Sequence, residues 1–405
     1  MSRRGSARGG AGLDVIVVGA GVVGAAAALA FARDGLRVAL VEAREPPAWR
    51  ALATGSDEID LRVYAFAPDN AALLDDLGAW AGVRESRAQP YRAMRVWDAA
   101  GGDELAFEAD AFGRRELGWI VEHALLVDRL WAALPAAGVE LHCPDSVTAF
   151  EQDEHGVTVH LHSGLSLRAK LLVAADGAES KVRALAGIEA PRQDYGQRGL
   201  VAFVRSERPH QATCWQRFLP TGPLAFLPFA SDEHTSSIVW TLPDDEAARL
   251  LEVEPAQFLR ELELAFAGRL GALIDVSKRA AFPLRLQLAQ SQATGRVAVI
   301  GDAAHAVHPL AGQGVNLGLR DVTTLRAVVA DAHERGIDPG SPQRLARWAR
   351  QQRSANAVSA YAFDGINRLF SNDALVPTLL RGPLLGMVGR LPLLTHAFWR
   401  HAAGL

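Results

Sequence analysis

The sequence predicts an α/β fold in which buried parallel strands alternate with helices, with an inserted antiparallel sheet and a helical C-terminal region. An apolar strand near the start runs into a glycine-rich loop and an alanine-rich helix. Two later apolar strands each end in a glycine and an aspartate. Between these two strands, residues 197–282 carry the alternating and aromatic runs that are typical of antiparallel strands.

Composition and charge narrow the class of protein. The chain has 405 residues, of which 49% are hydrophobic and 22% charged, as in a globular protein of two closely joined domains. The formal net charge is -4 and the Lys and Arg residues are scattered, so we expect no nucleic-acid partner. Cys143 and Cys214 form neither a zinc pattern nor a disulfide framework, which predicts a reducing, cytoplasmic location.

The N-terminal residues are expected to form an arm rather than a signal peptide. Residues 1–12 are basic and glycine-rich, which predicts disorder. The stretch 13–32 is apolar enough to suggest a signal peptide, but Asp14 opens it, glycines interrupt it and no convincing cleavage site follows. A strand, a tight turn and a helix explain this stretch better.

The first strand and helix carry a dinucleotide-binding pattern. Val15–Val18 is a β-branched run typical of a buried parallel strand, and a G-x-G-x-x-G sequence follows it. Gly19 permits a tight turn, Gly21 lets the backbone approach a pyrophosphate, and Gly24 permits close contact between helix and strand. The N-terminus of the helix offers free N–H groups and a partial positive charge to the phosphates.

Glu42, at the end of the second strand, narrows the choice of nucleotide. Its carboxylate is placed to accept hydrogen bonds from a ribose diol and would repel a 2′-phosphate. The residues therefore predict FAD or NAD as the tightly held nucleotide, and this motif alone does not separate the two.

Two later motifs place acidic residues at strand ends. An Asp-Gly pair follows the apolar residues 171–175, and a Gly-Asp pair follows the apolar residues 297–300. Carboxylates at the carboxyl ends of parallel strands point into the crevice where α/β sheets bind ligands, so we expect both aspartates there. A simple turn is the alternative explanation of the Asp-Gly pair.

The three motifs together resemble the signature of a known family. G-x-G-x-x-G, A-D-G-x-x-S-x-x-R and G-D-A-A-H are similar, in order and spacing over residues 13–325, to the flavin-dependent aromatic hydroxylases of the p-hydroxybenzoate hydroxylase fold. More narrowly, GDAAHAVHPLAGQGVNLGLRD at residues 301–321 resembles the ubiquinone-biosynthesis hydroxylases. Further similar stretches lie at residues 60–80, 218–229, 236–242 and 366–387. His123 departs from the family pattern, which more often has Asn at that position.

The resemblance implies a Rossmann-like FAD-binding domain with an inserted antiparallel sheet that covers the flavin. It places the FAD-binding domain at residues 13–75, 100–190 and 283–340, and the substrate domain at residues 76–99 and 191–282. Residues 341–405 are expected to be helical, with arginines and prolines that interrupt their apolar run before it could span a membrane. This region is expected to dock on the body of the protein, on a partner or on a membrane surface.

The resemblance also assigns roles to single residues. It implies that Asp302 holds the ribityl chain of FAD, that Arg62 contacts FAD, and that Arg183 lies by the pyrophosphate or on the path of the reductant. A helix that begins near Gly314 would face the edge of the flavin ring that gains negative charge on reduction. The residues predicted to bind the cofactor are Gly19, Gly21, Gly24, Glu42, Arg62, Asp176, Gly177, Arg183, Gly301, Asp302, Gln313 and Asn316. The residues predicted to act at the flavin ring are His308, Pro309, Gly312 and Gly314.

Histidines and aromatic residues near these motifs have simpler interpretations. His305 and His308 are not expected to bind a metal, because no further ligand completes a site and Pro309 interrupts the helical spacing. His305 is expected to be structural, near Asp302. The substrate cavity is expected to have an aromatic and aliphatic lining, although ordinary sheet core is the preferred explanation for each single aromatic residue. These aromatic residues are Trp215, Phe218, Phe226 and Trp240.

The function implied by the resemblance is hydroxylation of the aromatic ring of a polyprenylated phenol in ubiquinone biosynthesis, through a C4a-hydroperoxyflavin. The phenol and O₂ would be the substrates, and transiently bound NAD(P)H or a protein electron donor would reduce FAD. Other ubiquinone-biosynthesis proteins and the inner face of a membrane are the candidate partners. A monooxygenase for another phenol and an oxygen-independent flavin reductase are the alternatives.

Overall fold

The computed structural model describes residues 12–51, 60–101, 103–306 and 314–353. The strands are β1 (Val15–Val18), β2 (Val38–Val41), β3 (Val63–Phe66), β4 (Ala88–Tyr91), β5 (Ala93–Asp98), β6 (Leu105–Glu108), β7 (Gly118–Glu122), β8 (Glu140–His142), β9 (Val147–Gln152), β10 (Val157–Leu161), β11 (Ser166–Ala169), β12 (Leu171–Ala174), β13 (Arg192–Ser206), β14 (Thr213–Leu219), β15 (Gly222–Pro228), β16 (Thr235–Pro243), β17 (Leu273–Val276), β18 (Ala280–Leu288), β19 (Ala293–Thr294), β20 (Val297–Val299) and β21 (His305–Ala306).

The helices are α1 (Val22–Arg33), α2 (Pro68–Asp76), α3 (Trp80–Arg87), α4 (His123–Ala133), α5 (Lys181–Leu185), α6 (Asp244–Glu252), α7 (Pro255–Phe266) and α8 (Gly314–Glu334), with short 3₁₀ helices at Ala109–Phe112 and Gly301–Ala303. Residues 342–353 are also helical. The predicted N-terminal arm, apart from residue 12, and the predicted C-terminal region beyond residue 353 lie outside the described residues. None of the described helices is both long and apolar enough to cross a membrane.

A six-stranded sheet with the order β19-β20-β12-β1-β2-β8 forms the first layer. Its strands are parallel except for the short β19. The side chains of β1 alternate between two apolar cores: Val15 and Val17 pack with α1, α4 and α8, whereas Ile16 and Val18 pack with β9–β11 and α5. Burial on both faces explains the uninterrupted apolar run of this strand, and the predicted α/β fold class is confirmed.

Helix α1 follows β1 and lies close to the sheet. Nine of its twelve residues are buried, and most of these are alanines that allow the backbone to approach the strands. Helix α8 packs against α1 on the same face of the sheet. The two helices therefore hold the early and late glycine motifs side by side.

A nine-stranded sheet forms the second layer, with the order β21-β18-β13-β16-β15-β14-β5-β6 and β17 paired to β13. Neighbouring strands are antiparallel except β14 and β5, which pair in parallel. The outer face packs against α6 and α7, where the rings of Phe226 and Phe266 stack with centroids 3.8 Å apart. The inner face turns toward the parallel sheet and encloses the site described below.

The pairing of this sheet bears on the predicted domain limits. The limit at residue 100 falls inside the hairpin of β5 and β6, so it separates two strands that pair with each other. The limit at residue 283 falls inside β18. We therefore propose the same two-domain division with this hairpin and the whole of β18 assigned to the substrate sheet.

Candidate functional site

The three glycine motifs meet at one edge of the parallel sheet. Each follows the carboxyl end of a strand, namely β1, β12 or β20, and these strands are neighbours. The backbone N–H of Ala175 donates to the carbonyl of Val18 (2.8 Å), and that of Ile300 donates to the carbonyl of Ala174 (2.9 Å). These bonds fix the starts of the loops next to each other, although the loops lie far apart in sequence.

The loop between β1 and α1 has room for a side chain at Gly21 but none at Gly24. Gly19 has a φ of +94°, and a Cβ atom on Gly24 would lie 1.8 Å from the carbonyl oxygen of Gly19. A Cβ atom on Gly21 would meet nothing within 4 Å, and Gly21 lines the cavity. Gly21 is also the N-cap of α1 and carries no capping side chain, so the N–H groups of the first turn remain available to a phosphate.

Glu42 bridges the front loop and the end of β2. Its Oε2 accepts a hydrogen bond from the backbone N–H of Ala20 (2.6 Å), and its Oε1 accepts one from Arg44 (3.1 Å). The carboxylate lines the cavity and each oxygen keeps acceptor capacity for a hydroxyl group. This placement suits the predicted contact with a ribose.

The Asp-Gly motif is built as more than a simple turn. Asp176 accepts hydrogen bonds from the Ser180 hydroxyl and from the backbone N–H of Val182 (3.1 Å). Ser180 is the N-cap of α5 and accepts from the N–H of Arg183 (3.0 Å). Asp176 and Gly177 line the cavity, with the start of α5 held beside them.

Arg183 lies behind this loop and not in the cavity. Its side chain is buried, and its guanidinium donates to the carbonyl oxygens of Ala303 (2.7 Å) and Ala178 (3.0 Å). It is not among the described residues that line the cavity. The sequence-based expectation of a pyrophosphate or reductant contact is therefore corrected: Arg183 ties the Asp-Gly loop to the Gly-Asp loop.

Asp302 projects into the middle of the cavity from the Gly-Asp turn. Its side chain is exposed to the cavity, where the surrounding protein partly encloses it. This enclosure raises the pKa of the Asp302 carboxyl, and the positive charges of His305 and Arg62 partly oppose the rise. A carboxylate so enclosed gains from ligand hydroxyl groups that donate hydrogen bonds to it, as the ribityl chain of FAD would.

Asp321 on α8 fixes the Gly-Asp turn from below. Its Oδ2 accepts a hydrogen bond from the backbone N–H of Gly301 (3.0 Å) and lies 2.6 Å from Nε2 of His305. Burial alone would lower the pKa of His305, but the charge and hydrogen bond of Asp321 outweigh it and raise that pKa. The expected structural role of His305 is in keeping with this contact, with Asp321 rather than Asp302 as the direct partner.

The side chain of Asn316 makes hydrogen bonds to other residues of the protein. Its Oδ1 accepts from the backbone N–H of Ala67 (2.9 Å) and from Nδ2 of Asn70 (2.9 Å), while its Nδ2 donates to the carbonyl of Ala65 (2.7 Å). The side chain is buried and is not among the described residues that line the cavity. The side chain of Asn316 thus fastens the start of α8 to β3 and α2, and the predicted contact of this residue with the cofactor stays a prediction.

The residues predicted at the flavin ring are described only in part. Gly314 begins α8 and lines the cavity together with Val315. The N-terminal end of the described part of this long helix therefore faces the cavity. The predicted residues His308, Pro309, Gly312 and Gln313 lie outside the described residues.

Tyr64 and His123 form a pair in the cavity wall that the motifs do not identify. The Tyr64 hydroxyl and Nδ1 of His123 are 3.0 Å apart. Burial and the nearby Arg62 lower the pKa of His123 to about 4, so the imidazole is neutral at neutral pH. Burial raises the pKa of Tyr64 to about 12, so its hydroxyl keeps a proton to donate to Nδ1. The departure of His123 from the family pattern is the one signal in the sequence that points here.

Arg62 lies beside this pair. It lines the cavity, and its guanidinium stands over the ring of Phe282, 5.8 Å from the ring centroid. Arg62 is thus a cation in the cavity wall close to Tyr64 and Asp302, and its contact with FAD stays a prediction. The sequence analysis also missed residues 145–147, which line the nucleotide end of the cavity after β8 without forming a recognisable motif.

A cavity of about 840 Å³ connects the groups that line it, from the glycine loops and Glu42 to Asp302 and Arg62. Cofactor and small-molecule sites typically occupy roughly 300–1,000 Å³. The cavity extends from the front loop past Asp302 to the inner face of the nine-stranded sheet, where Val201, Ala225, Leu227 and Val239 line it. One continuous space thus reaches from a nucleotide-binding edge to an aliphatic wall.

The aromatic residues expected to line this wall lie elsewhere. Because side chains of a strand alternate between its faces, Ala225 and Val239 face the cavity while Phe226 and Trp240 face α6 and α7. Trp215 packs on that outer core as well, and Phe218 packs against Val96. These four residues therefore belong to the core of the sheet, which is the explanation that the sequence favours for each of them singly.

The residues around the cavity fit FAD. Open space beside Gly21 and the free N–H groups of α1 suit a pyrophosphate. Two separate carboxylates, Glu42 and Asp302, suit the two sets of hydroxyl groups in FAD, on the ribose and on the ribityl chain. Among the described residues no group of three potential ligands could hold a metal ion.

Comparison with known proteins identifies the family. The family model described as FAD binding domain matches residues 12–355, and the chain belongs to this family. Ubiquinone hydroxylase UbiL of Rhodospirillum rubrum is 38% identical over 395 residues, which cover 96% of this chain and 89% of that protein. The 3-demethoxyubiquinol 3-hydroxylase of Escherichia coli is 33% identical over 393 residues, which cover 97% of this chain and 98% of that protein.

A solved structure supports the fold. The p-nitrophenol 4-monooxygenase PnpA of Pseudomonas putida DLL-E4 is similar with a TM-score of 0.76 at 19% identity, covering 97% of this chain and 98% of that chain. At this identity the likeness bears on the fold alone. The sequence-based expectations of the family, of FAD as cofactor and of an FAD-dependent hydroxylase are confirmed.

Proposed function

We propose that the protein is an FAD-dependent monooxygenase that hydroxylates the aromatic ring of a polyprenylated phenol in ubiquinone biosynthesis. The observation that carries the proposal is the continuity of one cavity from the FAD-binding loops to an aliphatic wall. Two relatives that match nearly the whole chain bear names of hydroxylases that act on ubiquinone or its precursor, which supports the pathway.

The chain would bind FAD through groups at both ends of the cavity. Glu42 would hold the ribose, the first turn of α1 the pyrophosphate, and Asp302 the ribityl chain. The N-terminus of α8 at Gly314 would stabilise negative charge on the flavin ring, since the partial positive charge of a helix lies there. His308, Pro309, Gly312 and Gln313 stay proposed neighbours of the ring.

Bound FAD, once reduced, would supply the activation of O₂ for transfer to the phenol ring. The residues of the wall orient the phenol and exclude water from the site. Val201, Ala225 and Val239 offer the apolar surface that a ring with an isoprenoid tail requires. No acid–base pair of the chain is needed for ring hydroxylation itself.

The reductant and the location are part of the proposal. We propose NAD(P)H as a transient donor, with a protein electron donor as the alternative. We further propose a cytoplasmic protein that reaches its lipid-soluble substrate at the inner face of a membrane, with other ubiquinone-biosynthesis proteins as partners. The long isoprenoid tail of the substrate is the chemical reason for this location.

Deletion of the gene tests the proposed function. We expect a strain without it to accumulate a polyprenylated intermediate that lacks one ring hydroxyl, identified by mass spectrometry of the lipid extract. Re-expression of the natural chain should restore ubiquinone, whereas the Asp302→Ala variant should not. An unchanged quinone profile in the deletion strain would favour another phenol as substrate.

An oxygen-independent reductase is the second candidate, and oxygen uptake separates it from the first. The purified flavoprotein with NAD(P)H and a prenylated phenol should consume O₂ in proportion to hydroxylated product. Reduction of a substrate under anaerobic conditions, with no product oxygen, would instead establish the reductase.

A further inference from the structure

One row of side chains crosses the inner face of the nine-stranded sheet. In the register of the strands, Gln216 of β14 is paired with Ala225 of β15, and Ala225 is paired with Val239 of β16. Val239 is in turn paired with Val201 of β13. All four side chains line the cavity, so the row is an apolar surface with an amide at one end.

The amide of Gln216 has no protein partner among the described residues. Gln197 of the same sheet, by contrast, donates its side-chain NH₂ to the carbonyl of Thr221 (2.9 Å). On the strands β13–β16, the other polar side chains that line the cavity are Thr241 and, at the start of β13, Arg192, which pairs with Glu179. Gln216 is therefore the amide that this wall presents to a ligand.

An amide in an apolar wall discriminates between ligands. When a ligand displaces water from the wall, an amide left without a hydrogen-bond partner weakens the binding of that ligand. A ligand that places an oxygen there avoids this cost. A phenol hydroxyl suits the amide well because it donates to the side-chain carbonyl or accepts from the side-chain NH₂.

Resting on the proposed function, we propose that Gln216 is the specificity-determining residue for the substrate ring. Its amide hydrogen-bonds the phenol oxygen and so orients the ring relative to the cofactor. The apolar row of Ala225, Val239 and Val201 supports the ring beside that bond. One fixed oxygen on a flat ring restricts which ring carbon is presented for hydroxylation.

A substrate–mutant cycle tests this assignment on the FAD-loaded enzyme. The probes are ortho-geranylphenol and geranylbenzene, which differ only in the ring hydroxyl. Their dissociation constants are measured from the change that each causes in the flavin absorbance spectrum. We expect the natural enzyme to bind the phenol about 10-fold more tightly, as one hydrogen bond in an apolar site predicts. We expect Gln216→Leu to bind both probes with nearly equal affinity.

Gln287 provides the matched control. It is a second cavity-lining glutamine, but it lies on β18 opposite Ala306 of β21, beside the Gly-Asp turn. Gln287→Leu makes the same chemical change away from the row and should keep the 10-fold preference for the phenol. Flavin content and melting temperature verify that both variants fold.

The products give a second readout. The natural enzyme should hydroxylate ortho-geranylphenol at one ring carbon, and Gln216→Leu should give a mixture of positions, resolved by chromatography and mass spectrometry. If Gln216→Leu keeps both the preference and the single product while the natural enzyme hydroxylates the phenol, the role of Gln216 is overturned and the proposed function stands. If the natural enzyme neither binds nor hydroxylates the phenol, the proposed function and this role both fall.

Discussion

In the proposed function, single residues at the strand ends hold different parts of FAD. Gly24 is required by packing, since a side chain there would collide with the backbone of Gly19, whereas Gly21 faces open space that the pyrophosphate would fill. Glu42 and Asp302 supply acceptors at two points of the cavity. The two glycines of one motif therefore have separable effects on folding and on cofactor binding.

Substitution of each glycine by alanine tests this separation. We expect Gly24→Ala to destabilise the protein by about 3 kcal/mol or more, because its Cβ atom would lie 1.8 Å from a carbonyl oxygen. We expect Gly21→Ala to fold with an unchanged melting temperature of the apoprotein but to bind FAD at least about 10-fold more weakly. Thermal melts and FAD titration measure the two effects. The opposite ranking of the two variants would contradict these roles.

Asp302 is the residue whose loss should remove FAD without unfolding the chain. We expect Asp302→Ala to purify as a folded protein with little flavin, measured as the ratio of flavin to protein absorbance. Full flavin content and full activity in this variant would show that the Gly-Asp motif is misplaced.

The affinity for FAD should also depend on pH through Asp302. Enclosure raises the pKa of Asp302 in the unliganded protein, and ribityl hydroxyl groups that donate to the carboxylate would lower it. Binding therefore releases a proton, and affinity should fall as the pH drops through that raised pKa. Asp302→Asn should bind FAD more weakly, with this part of the pH dependence abolished. An unchanged pH profile in Asp302→Asn would assign the titration to another group.

At the scale of elements, helix α8 acts as a clamp on the cofactor loops. Asp321 is hydrogen-bonded to the backbone of Gly301 and to His305. Asn316 is hydrogen-bonded to β3 and to the start of α2, and Arg62 directly precedes β3. Arg183 adds a further tie between the two loops. The N-terminus of α8 is thereby positioned at the cavity by contacts on several elements.

The buried Asp321–His305 pair makes the stability of this clamp dependent on pH. The pKa of His305 is raised in the fold above its ordinary value of 6.5, so its contribution to stability is full below that pH and is lost as pH rises through the raised pKa. We expect Asp321→Asn to lower the free energy of unfolding by about 3 kcal/mol at pH 6, since it leaves a buried imidazolium without its partner.

Denaturant unfolding at several pH values checks this expectation. The difference between Asp321→Asn and the natural protein should shrink as the pH rises, because a neutral His305 tolerates the amide. His305→Gln serves as the control, since it removes the titrating group and should lose less stability at low pH. A difference that does not change with pH would contradict the charged pair.

At the scale of the whole molecule, two sheets enclose one cavity and thereby join cofactor and substrate. Local patterns suffice to predict the parallel strand β1, its glycine turn and the later Gly-Asp turn, because each is a run of consecutive residues. The same local patterns also suffice to predict the family. Single motifs thus predict the edge of the parallel sheet that binds the nucleotide.

Contacts between distant residues explain what the sequence does not predict. Tyr64 and His123 are 59 positions apart, and Arg183 reaches a carbonyl 120 positions away. The guanidinium of Arg183 and the amide of Asn316 are hydrogen-bonded to backbone groups that lie near them only in the folded chain. The face to which each strand side chain points is likewise set by register, which is why the aromatic residues of the sheet lie in its outer core.

The central claim is that this single cavity brings O₂-derived oxygen to the ring of a phenol. The most direct measurement gives the purified FAD enzyme a reductant, ortho-geranylphenol and isotopically labelled O₂, and then determines the product by mass spectrometry. We expect a hydroxylated phenol in which the new oxygen atom carries the label. A product whose new oxygen comes from water, or flavin reoxidation that yields no hydroxylated phenol, would contradict the claim.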